Sequence, residues 1–117
     1  MVDNKDLLRR TKIFSEKIIE LSFKFARNPA NQILVKQVVR AATSVGANYR
    51  EACEAESSKD FVHKIKLSKK EARESEYWLL LLFKANPKLS QQLKPLISES
   101  NQLVRIFSTI AKKFRKD

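Results

Sequence analysis

Apolar side chains recur along most of the chain at alternating steps of four and three residues, the spacing that gathers side chains on one face of an α-helix. Leu7, Thr11, Phe14, Ile18, Leu21 and Phe25 form the first such stripe. Asn28-Pro29 closes it, because a residue before proline is pushed out of helical geometry, so the spacing predicts a helix over about 5–27. Leu34, Val38, Ala41, Val45, Asn48, Ala52 and Ala55 form the second stripe and predict a helix over about 31–56. Its weak point is Gly46, which costs roughly 1 kcal/mol relative to Ala in a helix interior. A loop there is one reading; a close approach of two backbones is the other, and it suits a chain whose single glycine lies inside an unbroken stripe. Ser57 offers a hydroxyl to cap a third helix, with Asp60 in the first turn where the helix dipole favours an anion. Phe61, Ile65, Ser68, Ala72, Ser75, Leu79 and Leu82 then predict a helix over about 58–86, ended by Asn86-Pro87. Leu93, Leu96, Ser100, Leu103, Phe107, Ile110 and Phe114 predict a fourth over about 90–115, in which Pro95 is tolerable only within the first turn.

Four helices of similar length with short connections describe an all-α, antiparallel up-down-up-down four-helix bundle, one domain over residues 1–117. Composition agrees: one Gly and three Pro are too few for the turns of a sandwich or barrel, and 43% hydrophobic residues supply a core. A single cysteine makes no internal disulfide, and the first twelve residues carry Asp3, Asp6, Arg9 and Arg10 where a secretion signal needs an apolar core. The longest apolar run, Trp78 to Phe83, is six residues, against roughly twenty for a bilayer span. A cytoplasmic protein without a membrane partner is the expectation.

Two stretches exceed what one core needs. Leu8, Ile19 and Phe23 lie behind the first stripe, and Trp78, Leu80, Leu81 and Phe83 make the third helix apolar around its circumference. A helix apolar on all sides calls for a cover, which predicts self-association through these residues; alternatively Trp78 and Phe83 fill one end of the bundle. On the second helix Gln37, Arg40, Ser44, Asn48 and Glu51 form a polar line among small residues. Folding helices 2 and 3 back about Ser57 sets Arg40 opposite Glu74 and Gln37 opposite Tyr77, with Glu71 one turn away. This set reads as an ion-pair and hydrogen-bond network that fixes register, with a ligand pocket as the sharper alternative.

Charge is the remaining signal. With 24 Lys or Arg against 13 Asp or Glu, the chain carries +11, and segments 1–27, 28–56, 57–86 and 87–117 hold +3, 0, +3 and +5. Lys59, His63, Lys66, Lys70 and Arg73 recur on one stripe opposite the core face of helix 3, with Lys69 beside it; Arg105, Lys112, Lys113, Arg115 and Lys116 add to it from the C-terminal segment. At 1.5 Å per residue the stripe is about 20 Å long, enough to meet several phosphates. A solvated helix face is the plain alternative. No aromatic platform or recognition helix accompanies the cations, so binding to nucleic acid is expected to be phosphate-driven and not base-specific.

Chemistry for catalysis is missing at the level of residue types. His63 and Cys53 are the only residues of their kinds, so a zinc site or a Cys-His pair has no second member. Asp60-x-x-His63 is half of a di-iron helix motif without its mate, and one glycine makes no phosphate-cradling loop. Glu71, Glu74 and Glu76 read as helix-surface charge. Neither an enzyme nor a cofactor is expected.

Two blocks, Gln37-Val-Val-Arg-Ala-Ala-Thr-Ser-Val-Gly-Ala-Asn-Tyr-Arg-Glu-Ala52 and Ser68-Lys-Lys-Glu-Ala-Arg-Glu-Ser-Glu-Tyr-Trp-Leu79, preceded by Asp60-Phe61, resemble the bacterial four helix bundle protein family. That family includes proteins encoded in intervening sequences of large-subunit ribosomal RNA genes, and it is related to the accessory variability determinant of diversity-generating retroelements. The resemblance implies an up-down bundle, a homopentameric assembly and a basic surface proposed to bind RNA or DNA. It implies no catalytic residues. Family members often carry Asn-x-x-Glu-Gly where this chain has Asn48 to Ala52, so its second helix is expected to continue where others break. The resulting expectation is a non-enzymatic homo-oligomer that binds nucleic acid through its basic face. The alternative is an interaction scaffold docking an acidic protein partner, such as a reverse transcriptase-like or RNA-maturation enzyme.

Overall fold

The computed structural model describes residues 4–114, in four helices: α1 (Asn4–Ser22), α2 (Pro29–Cys53), α3 (Ser58–Ala85) and α4 (Ser90–Lys113). A single 3-10 turn, Pro87–Leu89, leads into α4. The middles of the stripes read from the sequence are the buried faces; toward their ends Phe25, Leu34, Ala55, Phe61 and Ile110 are half-buried, as is Asn48 on α2, and Phe114 is exposed. Leu7, Thr11, Phe14, Ile18 and Leu21 are buried on α1, and Ile65, Ser68, Ala72, Ser75, Leu79 and Leu82 on α3. From α2 come Val38, Ala41, Val45 and Ala52, and from α4 Leu93, Leu96, Leu103 and Phe107. Tyr49 and Phe107 meet at the centre with ring centroids 6.0 Å apart.

Contacts between neighbours run in opposite senses along the helices, the pattern of antiparallel pairing. Glu51 meets Lys64, Val45 meets Ser68, Arg40 meets Glu74 and Asn31 meets Asn86 across α2 and α3. Phe61 meets Phe114 edge to face and Glu76 accepts from Asn101 across α3 and α4. The result is a rod of 48 × 22 × 20 Å.

Helix ends differ from the sequence expectation, each for a local reason. α1 stops at Ser22 rather than near 27, because Phe23 and Lys24 donate to carbonyls three residues back, at 3.4 and 2.9 Å, and tighten the chain into a turn. α2 begins at Pro29, not 31, since proline's fixed φ suits the first helical position and Asn28, in extended geometry, accepts from Asn31 N at 2.8 Å. It ends at Cys53, three residues short of 56, because the chain must straighten for Ser57 to accept from Asp60 N at 3.1 Å and cap α3. Pro95 overturns its expectation: it lies in the second turn of α4. The Gln91 carbonyl loses its intrahelical donor there, and both residues are exposed, so water can replace it.

Gly46 sits inside α2 as a point of close approach. A Cβ there would lie 3.3 Å from Thr11 Oγ1, and Thr11 is held by donating to the Leu7 and Leu8 carbonyls at 3.0 and 3.1 Å. Ser15 also donates across the seam, to the Ala42 carbonyl at 3.1 Å.

Candidate nucleic-acid interface

The polar line of α2 faces α3. Arg40 donates from Nη2 to Glu74 and from Nη1 to Glu71 at 3.4 Å, while its Nε donates to Gln37 at 3.2 Å. Gln37 is thus tied to its own helix, and Tyr77 packs its ring edge against Trp78 at 5.1 Å. Ser44 and Asn48 donate to the Arg40 and Ser44 carbonyls, and Glu51 accepts from Lys64 at 2.6 Å. These charges answer one another along the α2–α3 seam and leave no free cation or carboxylate in the set. A similar device, unforeseen from sequence, closes α1 on α4: Arg10 grips Glu99 with two bonds of 2.9 and 2.8 Å and Gln102 with a third of 3.0 Å. Helices far apart in sequence have no fold-back rule to set their register, so only the structure pairs these residues.

Hydrogen bonding to Glu99 raises the Arg10 pKa above its ordinary value, and hydrogen bonding to Glu74 does the same for Arg40; in both, partial burial opposes the shift. A raised cation contributes stability that is complete below the unfolded-state pKa and is lost only as pH climbs through the higher folded one. That window lies in strong base, so these two guanidinium groups hold their charge throughout the ordinary pH range.

On the other flank of α3 the charges are not answered. Lys66, Lys69, Lys70 and Arg73 from α3, with Ser108, Ala111 and Lys112 from α4, line a groove of about 670 Å³. Five cations and no acid surround it. Lys59 and His63 are exposed toward the start of the same stripe, and Arg105 and Lys113 are exposed on α4. None of the cations of the stripe and groove forms an ion pair among the described residues, where all pairs involve Arg9, Arg10, Lys12, Arg40 or Lys64. Arg115 and Lys116 lie outside the described residues.

Charge counted by segment conceals a second basic region. The α1–α2 and α3–α4 connections meet at one end of the rod, pinned by reciprocal bonds of 2.9 Å between the side chains of Asn31 and Asn86. Residues 21–50 and 77–98 contain no Asp or Glu, and this end presents exposed Lys24, Arg27, Lys36, Lys84, Lys88 and Lys94. The net zero of segment 28–56 arises because its acids, Glu51, Glu54 and Glu56, all sit at the opposite end. An aromatic accompanies this charge after all: Phe23 is 83% exposed.

The apolar residues outside the stripes divide into two sets. Leu8, Trp78 and Phe83 pack, half-buried, against the chain's own core. Phe23, Ile19, Leu80 and Leu81 are exposed, as are Ile33 and Tyr77 on the α2–α3 side. Among the described residues no three His, Cys, Asp or Glu side chains group so as to hold a metal ion, and no helix is long and apolar enough to cross a membrane.

The pattern of the 23S rRNA-intervening sequence protein family matches residues 4–109. The crystal structure of a protein of unknown function from Bacteroides thetaiotaomicron, described as belonging to the S23 ribosomal protein family, is similar throughout. It shares 31% identity, the match covers 90% of this chain and 97% of that one, and the TM-score is 0.78. No curated protein matches the chain.

Proposed function

The chain belongs to the 23S rRNA-intervening sequence protein family, and from that premise we propose that it is a non-enzymatic nucleic-acid-binding bundle whose α3–α4 groove holds the phosphates of structured RNA or duplex DNA. One observation carries the reading. The acids of α3 that border α2 are engaged by Arg40, whereas the five cations of the groove form no ion pair among the described residues. Ordinary surface lysines are interleaved with acids; a groove with cations on both walls and no acid concentrates positive potential and attracts a polyanion. Neither wall carries an Asn, Gln or aromatic side chain that could read a base edge, so binding follows phosphate density and not sequence.

Self-association belongs to the same proposal. Ile19, Leu80 and Leu81 are the exposed apolar residues that a second copy covers, and assembly multiplies the basic surface. In this reading the protein works in the cytoplasm, where ribosomal RNA precursors and their processing enzymes are met.

Titration of the protein with a structured RNA, a duplex DNA and a single strand, each at low and moderate salt, tests the reading. The expected result is binding to all three at low salt, weakened by orders of magnitude at higher salt. Absence of binding at low salt would remove it and leave the docking of an acidic protein partner as the use of the groove.

A further inference from the structure

We infer that the end of the bundle where the α1–α2 and α3–α4 connections meet is a second site, which takes an unpaired base and its flanking phosphates, with Phe23 as the stacking platform. The inference concerns residues distinct from those of the α3–α4 groove and stands or falls separately. Three observations converge on it. Phe23 is the most exposed large apolar residue described, although Phe25, two positions on, packs against the core. The connection that carries Phe23 is held in place: Asn31, 3% exposed, donates from Nδ2 to the Ala26 carbonyl at 2.8 Å and to Asn86 at 2.9 Å, and Asn28 caps α2. Beside the ring lies a cleft of about 360 Å³ whose lining includes Phe23, Phe25, Gln32 and Val35 together with the cations Arg27 and Lys36.

The charge around this cleft selects the ligand. An exposed apolar ring on a held connection suits either another apolar surface or the face of a nucleobase. The six exposed cations of this end, with no acid in the stretches that build it, oppose a second copy of the same end and favour a polyanion. The nearest acid in sequence is Glu20, which lines the neighbouring α1–α4 groove together with Lys17 and Lys24. A duplex keeps its bases stacked on each other and has none to offer; a single strand or a looped-out nucleotide does. Stacking on one aromatic side chain strengthens single-strand binding by about ten-fold, with the backbone held electrostatically. In this site Arg27 and Lys36 hold the phosphates on either side of the stacked base, and Gln32 lies within the cleft as a hydrogen-bonding group for the base edge.

Short oligothymidylate and a duplex of equal charge, titrated against wild type, Phe23→Ala and Phe23→Trp, test the site. Truncating so exposed a ring leaves the core untouched, so unchanged helicity is the folding control. Phe23→Ala is expected to weaken oligothymidylate binding by about ten-fold and leave duplex binding unchanged. Phe23→Trp is expected to keep the affinity and to show quenching of the added indole emission at saturation. Equal affinities of all three proteins for oligothymidylate would overturn the inference, and so would an equal loss for both nucleic acids. A third contrary result is a loss that tracks conversion to a smaller species in sedimentation, which would assign Phe23 to contact between copies. Failure of the α3–α4 groove would register differently, as duplex binding insensitive to Lys66, Lys70 and Lys112.

Discussion

Along its α2 flank, α3 presents Glu71 and Glu74 to Arg40 and Lys64 to Glu51; along its α4 flank it presents Lys66, Lys69, Lys70 and Arg73 to a groove with no acid. The two flanks share one helix, one solvent and similar residue types. What differs is whether each charge finds its partner inside the fold. On the first flank the pairs set the register of two helices, and exposed pairs of this kind add only about 0–1 kcal/mol to stability. On the second flank the cations form no ion pair among the described residues, and their mutual repulsion opposes folding. Charge that stabilises nothing internal is available for an external anion.

The largest effect is expected on the second flank. Replacing Lys66, Lys70 and Lys112 together by Glu is expected to lower affinity for duplex DNA at least about a hundred-fold, since each phosphate contact contributes strongly at low salt. The same change is expected to leave the thermal midpoint unchanged or raised, because it relieves repulsion; calorimetry and a binding titration on the same sample give both numbers.

Next in size are changes at the internal seams. Gly46→Val is expected to destabilise the protein by about 2–3 kcal/mol in chemical denaturation, because it crowds the buried Thr11, whose hydroxyl proton is shared between the Leu7 and Leu8 carbonyls. Gly46→Ala is expected to be close to neutral, the helix gain of roughly 1 kcal/mol offsetting a 3.3 Å approach to Thr11. Arg10→Ala strands Glu99 and is expected to cost about 1–2 kcal/mol, with nucleic-acid affinity nearly unaltered.

The smallest effect sharpens the first flank. A double-mutant cycle on Arg40 and Glu74 is expected to give a coupling of about 0.5 kcal/mol, as for a partly solvated pair. Coupling of several kcal/mol would mean that this seam is a buried network, and the contrast between the flanks would then be one of burial rather than of pairing.

Much of this arrangement is legible in the sequence, because local periodicity and short connections determine it. Most of the stripe positions at steps of four and three are buried, Ser57 is the cap of α3, and folding back about Ser57 places Arg40 against Glu74. What the sequence hides depends on helices that are not consecutive. Arg10 and Glu99 come together only once α1 and α4 close the bundle. The basic end escapes a count by segment because the acids of segment 28–56 gather at the far end of α2 and bring that segment's sum to zero. Phe23 looks from sequence like part of an apolar surface on helix 1; it lies past the end of that helix, on a turn set by its backbone hydrogen bonds. Trp78 and Phe83, by contrast, lie half-buried against the chain's own core.

The central claim is that the α3–α4 cations are held for an external polyanion. It is tested most directly by the slope of log K against log salt for duplex DNA, in wild type and in the Lys66, Lys70 and Lys112 triple replacement by Gln. The account predicts a steep slope in wild type, made shallower by about three in the triple variant, close to one counterion for each phosphate that the variant no longer neutralises. An identical slope in the two proteins would contradict it.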